Sequence, residues 1–277
     1  MSKFGKMRLT SFWVVFYKLW HGRLHLPGAG LLLSVVARIF PSLQSYPLSV
    51  DGLGIIPVDF SDVSGYAWLN FSLKENGQEA GLIRFLQKRA GQPNCIWDVG
   101  ANAGYFAAEI LQTFPHLPSL FLFEPNPRMT NTLLAIAHSF SQVRVQTLAL
   151  SDRAGQVHLS FAKGSSTLTS SARKLSDAFF TAESCSGDDF LVRNPASRPD
   201  GIIIDVEGSE PEVIRGLQNI LTSLRPWVVF EQLFFDPACL DPLMPPGYQR
   251  FTIDDSTGEL SMAGDSRQGH NGVYLPI

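Results

Sequence analysis

Residues 95–107, CIWDVGANAGYFA, constrain the fold of this chain more than any other stretch. Ile96 and Trp97 end an apolar run that reads as a short buried strand, and Asp98 follows at its carboxyl end. Gly100, Asn102 and Gly104 then make a tight turn, after which Tyr105 to Leu111 resumes an apolar pattern at helical spacing. Strand, glycine turn and helix in that order belong to an open α/β sheet, whose ligands bind where strand carboxyl ends meet helix N-termini. Glycines there let a ligand approach backbone that side chains would shield, although a tight turn would need them too. Twenty residues past Gly104 a second apolar run, SLFLFEP, carries Glu124, an acid placed to accept hydrogen bonds from ribose hydroxyls. The two signals together predict a nucleoside-containing cofactor.

The spacing selects among such cofactors. A dinucleotide fingerprint reads GxGxxG, with the second glycine close to a pyrophosphate, and here Asn102 stands where that glycine would be. A nucleotide-dependent dehydrogenase is disfavoured accordingly. A sulfonium cofactor carries no phosphate, and its ammonium can be held by an acid near the turn, such as Asp98. DxGxNxG followed by an acid after the next strand resembles the pattern of class I S-adenosylmethionine methyltransferases.

Charge and cysteine content narrow the class further. The 277 residues carry a formal net charge of −3, so the whole chain is not an obvious nucleic-acid binder. Lys3, Lys6, Arg8, Lys18, Arg23 and Arg38 nevertheless precede the first acid, Asp51, which leaves the remainder at −9. Interleaved with these basic residues are SFWVVFYKLW (11–20) and GLLLSVVARIF (30–40), neither of which reaches the ~20 apolar residues of a membrane span. Residues 1–45 therefore read as a basic, apolar extension. It forms either accessory helices packed on the sheet or a segment lying in an anionic membrane interface, with residues 8–40 the contact. Three cysteines at 95, 185 and 239 share no disulfide or metal spacing, which fits a reducing, cytoplasmic setting with or without peripheral membrane contact.

Residues 46–277 read as the main domain. Residues 46–73 are punctuated by Gly, Pro and Asp, as short strands or a hairpin would be. Residues 77–91 predict a helix stopped by Gly91, and a helix around 127–139 opens with Pro127. Further strands are expected over 143–151, 201–208 (GIIIDVEG, apolar enough to be buried on both faces) and 226–232. A helix opening at Pro211 separates the last two. Residues 248–254 and 271–277 close the sheet as an antiparallel pair. The sum is a seven-stranded, mostly parallel, doubly wound sheet of the Rossmann type. Residues 155–200 break the rhythm with a Ser/Thr-rich stretch and read as an insertion, either a lid or a surface loop.

DVGANAGYFA, LFEPNP, ALSDRAG, IIIDVEGSEPEVIRG and VVFEQ occur in this order, and together they resemble the FkbM family of S-adenosylmethionine-dependent methyltransferases. The likeness runs from about Gly77 to the C-terminus, and DVEGSE is its most specific element. It implies methyl transfer to an oxygen, on a hydroxyl of a sugar, glycan, glycolipid or natural product. It also implies that Asp98, Gly100, Asn102 and Gly104 hold the methionine part of the cofactor and Glu124 the ribose. Asp152 is placed for the adenine edge, with backbone of Leu150 or Ser151 as alternatives. Asp205 is the first choice of general base and Glu231 the second, since an alcohol must lose its proton during transfer. Glu210 is expected to cap the following helix. Hard oxygens of Asp205, Glu207 and Glu231 would suit magnesium, but no metal is assigned.

Two departures from the family pattern stand out. Ile203 occupies the position of a common lysine, and Gln232 that of a common histidine. A cofactor-binding module without turnover is the alternative these changes raise. Of the six histidines, only His270, beside the closing strand, is held in reserve. A nucleic-acid methyltransferase is disfavoured because no NPPY-type sequence follows the 201–208 strand and the basic charge is confined to the N-terminus.

Overall fold

The computed structural model describes residues 15, 29–50, 53–61, 65, 68, 80–161, 168–170, 179–232, 236–262 and 269–277. The described residues up to 68 form one compact unit and those from 80 onward a second.

The first unit opens with helix α1 (Ala29–Ile39), the second of the two apolar runs of the extension. Apart from Val15, the first run lies outside the described residues. A single 3-10 turn, Pro41–Leu43, leads into strands β1 (Tyr46–Val50) and β2 (Gly54–Val58), which pair antiparallel as the expected hairpin. Alternation puts Leu48, Val50, Ile56 and Val58 inward, and Phe60 and Leu43 are buried with them.

In the second unit helix α2 (Ala80–Arg89) precedes strand β3 (Cys95–Val99). Helix α3 (Tyr105–Thr113), strand β4 (Ser119–Phe123), helix α4 (Thr130–Ser139) and strand β5 (Val143–Gln146) continue the alternation. Strand β10 (Gly201–Ile204) then enters between β3 and β11 (Trp227–Glu231), parallel to both. The five parallel strands thus stand in the order β5-β4-β3-β10-β11, the doubly wound arrangement, with its switch point between β3 and β10. All four residues of β10 are buried, as a strand covered on both faces requires. Strands β12 (Tyr248–Ile253) and β14 (Asn271–Pro276) close the sheet as an antiparallel pair, with β14 inserted next to β11. An edge strand, β13 (Leu260–Met262), raises the total to eight.

Three boundaries differ from the sequence reading. Asp98 sits at the carboxyl end of β3 as expected, but the strand runs one residue further, to Val99, and is paired on both sides, with Ile203 and Leu122 as the register partners of Asp98. The run 143–151 is not one strand. It breaks after Gln146, and Ala149–Ser151 (β6) pairs with a different sheet. That second sheet, β6-β9-β7-β8, draws three of its four strands from what was expected to be an insertion. It contains β7 (Gly155–Phe161), β8 (Leu168–Ser170) and β9 (Phe179–Ser186), so long antiparallel pairing and not a simple loop carries this region. Most of the Ser/Thr-rich stretch lies outside the described residues.

Helix α5 (Gly187–Arg193) follows β9, capped by Ser186 Oγ on the amide of Asp189 at 3.0 Å. Short helices α6 (Glu210–Arg215) and α7 (Gln218–Ser223) connect β10 to β11. The core between sheet and helices is aromatic. Phe190 of α5 meets Trp97 and Phe123 edge-on at 5.4 and 4.9 Å, and the Trp97 indole N–H donates to the Ser197 carbonyl at 2.7 Å.

Candidate active site

The loops that leave β3 and β10 run side by side at the carboxyl edge of the sheet. Their closeness explains Gly100, which has φ +92°: a Cβ there would lie 1.8 Å from the carbonyl oxygen of Asp205. Gly104, at φ +79°, would meet Ile136 and Leu133 of α4 at 2.6 and 2.8 Å. Packing inside the domain thus demands both glycines, whatever binds beside them. Between them Asn102 takes a left-handed φ of 48°, which Asn tolerates better than most residues.

Glu124 locks this turn. Its Oε2 accepts the amide of Asn102 and its Oε1 that of Asn126, both at 2.7 Å. The carboxyl is 6% exposed, and burial pushes its pKa up to about 7 against the two amide bonds, with the Asp205 charge adding to the rise. The acid that the sequence placed for a ribose therefore also holds the end of β4 to the turn after β3.

The DVEGSE loop has a parallel construction. Glu207 and Gly208 both take left-handed φ values, 54° and 103°. Glu210, 1% exposed, turns its Oε1 back to the amides of Val206 and Gly208 at 3.2 and 3.3 Å. It therefore pins the loop in front of α6, where the sequence reading expected it to cap the helix. Burial raises its pKa to about 7. Asp205 hydrogen bonds side chain to side chain with Glu231 at the end of β11, and burial raises Asp205 to about 6. Two carboxyls in such contact share a proton. Asp205, Glu207 and Glu231 each offer an oxygen within 4.8 Å of the others.

A cavity of about 550 Å³ opens along these loops. Gly100, Asn102, Glu124, Asp152, Asp205 and Glu207 all line it, joining the ends of β3, β4 and β10 in one wall. Leu150 and Ser151 line it beside Asp152, so the three alternatives for the adenine edge stand together. Asp98, which is 3% exposed, Gly104 and Glu231 are not among the lining residues.

One set of residues lining the cavity escaped the sequence reading. Gln156 and His158 of β7 line the cavity from the second sheet. The alternation of GQVHLSFA signalled that strand, but nothing local showed which sheet it would join. His270 is held by Asp255, whose Oδ1 accepts its amide at 2.8 Å and whose Oδ2 meets its Nδ1. Gln232 ties the exit of β11 to the same place, its amide donating to the His270 carbonyl at 2.9 Å. Asp255 and His270 are 15 residues apart, and no spacing in the sequence links them.

With this geometry in place, the likeness to known proteins is specific. The Methyltransferase FkbM domain matches residues 98–243, more than half of the chain. This chain belongs to the FkbM methyltransferase family. The hexuronic acid methyltransferase AglP of Haloferax volcanii is 27% identical over 197 residues, covering 66% of this chain and 78% of AglP. The 2-O-methyltransferase NoeI of Sinorhizobium fredii is 29% identical over 146 residues, 47% of this chain and 60% of NoeI. Among solved structures, the methyltransferase FkbM of Methylobacillus flagellatus aligns with TM-score 0.47 and 17% identity, over 88% of this chain and 60% of that one. The FkbM match spans the glycine turn, Glu124, the DVEGSE loop and Glu231. The chain is a methyltransferase by family.

Proposed function

We propose that this FkbM-family protein transfers a methyl group from S-adenosylmethionine to a hydroxyl of a sugar-type acceptor. The carrying observation is the Asp205–Glu231 carboxyl pair, which has Asp205 on the wall of a cavity whose floor is the Asn102–Glu124 turn. The names of AglP and NoeI support a saccharide acceptor and an oxygen target.

The wall suits a cofactor without phosphate. Acids, backbone amides and apolar side chains line it, and the one guanidinium among its described lining residues, Arg153, lies 3.8 Å from Asp152. A volume of about 550 Å³ lies in the usual range of small-molecule sites. S-adenosylmethionine, when bound, supplies a methyl group already activated on a sulfonium. Glu124 would accept the ribose hydroxyls through the lone pairs its two amides leave. The Gly100–Asn102 backbone and Asp98 behind it would hold the amino-acid end, with Gly104 setting the turn, and Leu150 to Asp152 would border the adenine. Asp205 would take the acceptor's hydroxyl proton on a carboxylate oxygen, and Glu231 would steady it through their hydrogen bond. Burial raises Asp205 above the usual carboxylate range, and the hydrogen bond from Glu231 opposes that rise and favours the ionised form a base needs. The remaining task is to hold the hydroxyl in line and away from water.

Calorimetric titration with S-adenosylhomocysteine, followed by methyl-transfer assays on uronic-acid saccharides, tests this. Binding that weakens in Glu124→Gln but survives in Asp205→Asn, together with loss of transfer in Asp205→Asn, is the expected pattern. A purified, folded protein that binds no S-adenosylhomocysteine overturns the reading.

A further inference from the structure

The start of β14 carries a side-chain pair that the proposed reaction leaves unused. Asp255, two residues past the end of β12, holds His270 twice. Its Oδ1 accepts the His270 amide at 2.8 Å, and its Oδ2 meets the ring Nδ1. The amide bond alone would tie these two ends of the sheet together. The ring bond does more, because it fixes the rotation and the tautomer of the imidazole. A carboxylate only accepts, so Nδ1 carries the proton and the neutral ring keeps a lone pair on Nε2. No hydrogen bond engages that nitrogen among the described residues. The two side chains are 37 and 30% exposed, so a ligand can reach the pair from solvent.

The backbone sets His270 on the carboxyl edge of the sheet. Its carbonyl accepts the Gln232 amide at 2.9 Å, and the Gln232 side chain donates to the Gly269 carbonyl at 2.6 Å. The next residue, Asn271, is the register partner of Glu231. Along this edge the strand ends therefore bring Glu124, the Gly100–Asn102 turn, Asp205, Glu231 and His270 in that order, with ~4.8 Å between neighbouring strands. The proposed function gives the first two to S-adenosylmethionine and the next two to the reacting hydroxyl. In-line transfer brings that hydroxyl to the methyl group from the side away from the sulfur. The body of the acceptor then extends from Asp205 and Glu231 onward, and the imidazole stands one strand beyond Glu231.

A saccharide presents hydroxyls on neighbouring carbons, and distinguishing one from another takes a polar atom held in a fixed place. We propose that Nε2 of His270, oriented by Asp255, accepts a hydrogen bond from a second hydroxyl of the saccharide acceptor, beside the one that is methylated. This rests on the methyl-transfer reading above. His270 is then a specificity-determining residue and Asp255 its positioning residue, while the proton of the reacting hydroxyl still goes to Asp205.

Methyl transfer to methyl β-D-glucuronide and to its monodeoxy analogues tests this, with calorimetry of S-adenosylhomocysteine alongside. His270→Ala should raise the KM of the glucuronide about tenfold or more, with kcat within about threefold and S-adenosylhomocysteine affinity unchanged. One monodeoxy analogue should be a poorer acceptor than the glucuronide for the wild type and no poorer for His270→Ala. Asp255→Asn can still accept the backbone amide but presents an NH2 to Nδ1, which moves the ring proton to Nε2 and turns it into a donor. Its KM should rise as well, by less. His116→Ala, in the exposed turn before β4 at the opposite edge, should match the wild type. Unchanged KM in His270→Ala, a fall in kcat alone, or an equal loss of S-adenosylhomocysteine affinity overturns the inference and leaves methyl transfer standing. A rise of KM in His158→Ala but not in His270→Ala overturns it too, and seats the acceptor on β7. A wild-type protein that methylates no saccharide overturns the proposed function, and this inference with it.

Discussion

The two loops that meet at the switch point, 98–104 and 205–210, are built alike and serve differently. Each leaves a central parallel strand, passes through left-handed residues, and is held by one buried glutamate on two backbone amides. Both glutamates are pushed up to about 7 by burial. The difference lies in their second oxygen. Glu124 comes from the neighbouring strand, uses one oxygen for each amide, and faces the cavity. Glu210 belongs to the loop's own helix and serves both amides with Oε1, while its buried Oε2 has no hydrogen-bond partner. A single physical device, a desolvated carboxylate on orphan amides, thus holds a cavity-lining turn in one place and shapes the DVEGSE loop in the other.

The largest effect should come from the contact that joins the loops. Gly100→Ala puts a methyl group onto the Asp205 carbonyl and forces a left-handed alanine, so a loss above about 4 kcal/mol is expected in urea unfolding. A stable Gly100→Ala protein would mean that the loops are not in contact. Next, Asp205→Asn should lower kcat by about 10² to 10⁴, with S-adenosylhomocysteine affinity little changed in calorimetry. An equal loss of both would make Asp205 a binding residue.

The glutamates then separate. Glu124→Gln presents an NH2 group to one of two amides and should cost about 1–3 kcal/mol in thermal unfolding, besides weakening cofactor binding. Glu210→Gln can put its NH2 on the side of the unpartnered oxygen, so its cost should stay below about 1 kcal/mol, with binding unchanged. Equal costs would erase the distinction between the loops.

The pH dependence follows from the same carboxyls. Their folded pKa values lie above the ordinary 4.5, so the folded state keeps protons that the unfolded chain has released. Stability is therefore full below pH ~4.5 as far as these groups are concerned, and falls as pH rises through about 7. The melting temperature should drop by a few degrees across that window, and less in Glu210→Gln. Activity should rise as Asp205 ionises near pH 6, opposite in direction to stability. The smallest expected effect is that of EDTA. Because Asp205 and Glu231 hydrogen bond to each other, methyl transfer should persist without added divalent cation. A loss restored by magnesium would show that a cation, and not a proton, joins them.

Much of this was legible in the residue order. Alternation and apolar runs determined β3, β4, β10 and β11, because a strand buried on both faces has to be continuously apolar. The turn residues Gly100, Asn102 and Gly104 announced where the chain would leave the sheet. Local chemistry also marked Glu124, Asp205 and Glu231 as acids at strand ends, where an open sheet gathers its ligands. Only the tertiary structure decided what those acids touch. It paired Asp205 with Glu231 across 26 residues, turned Glu210 back on its own loop, and set Asp255 beside His270. It also split 143–151 between two sheets and gave the cavity a wall from β7. Periodicity reports which face of an element is buried. The partner that buries it, and the direction in which a charged side chain then escapes or is trapped, depend on neighbours far away in the chain.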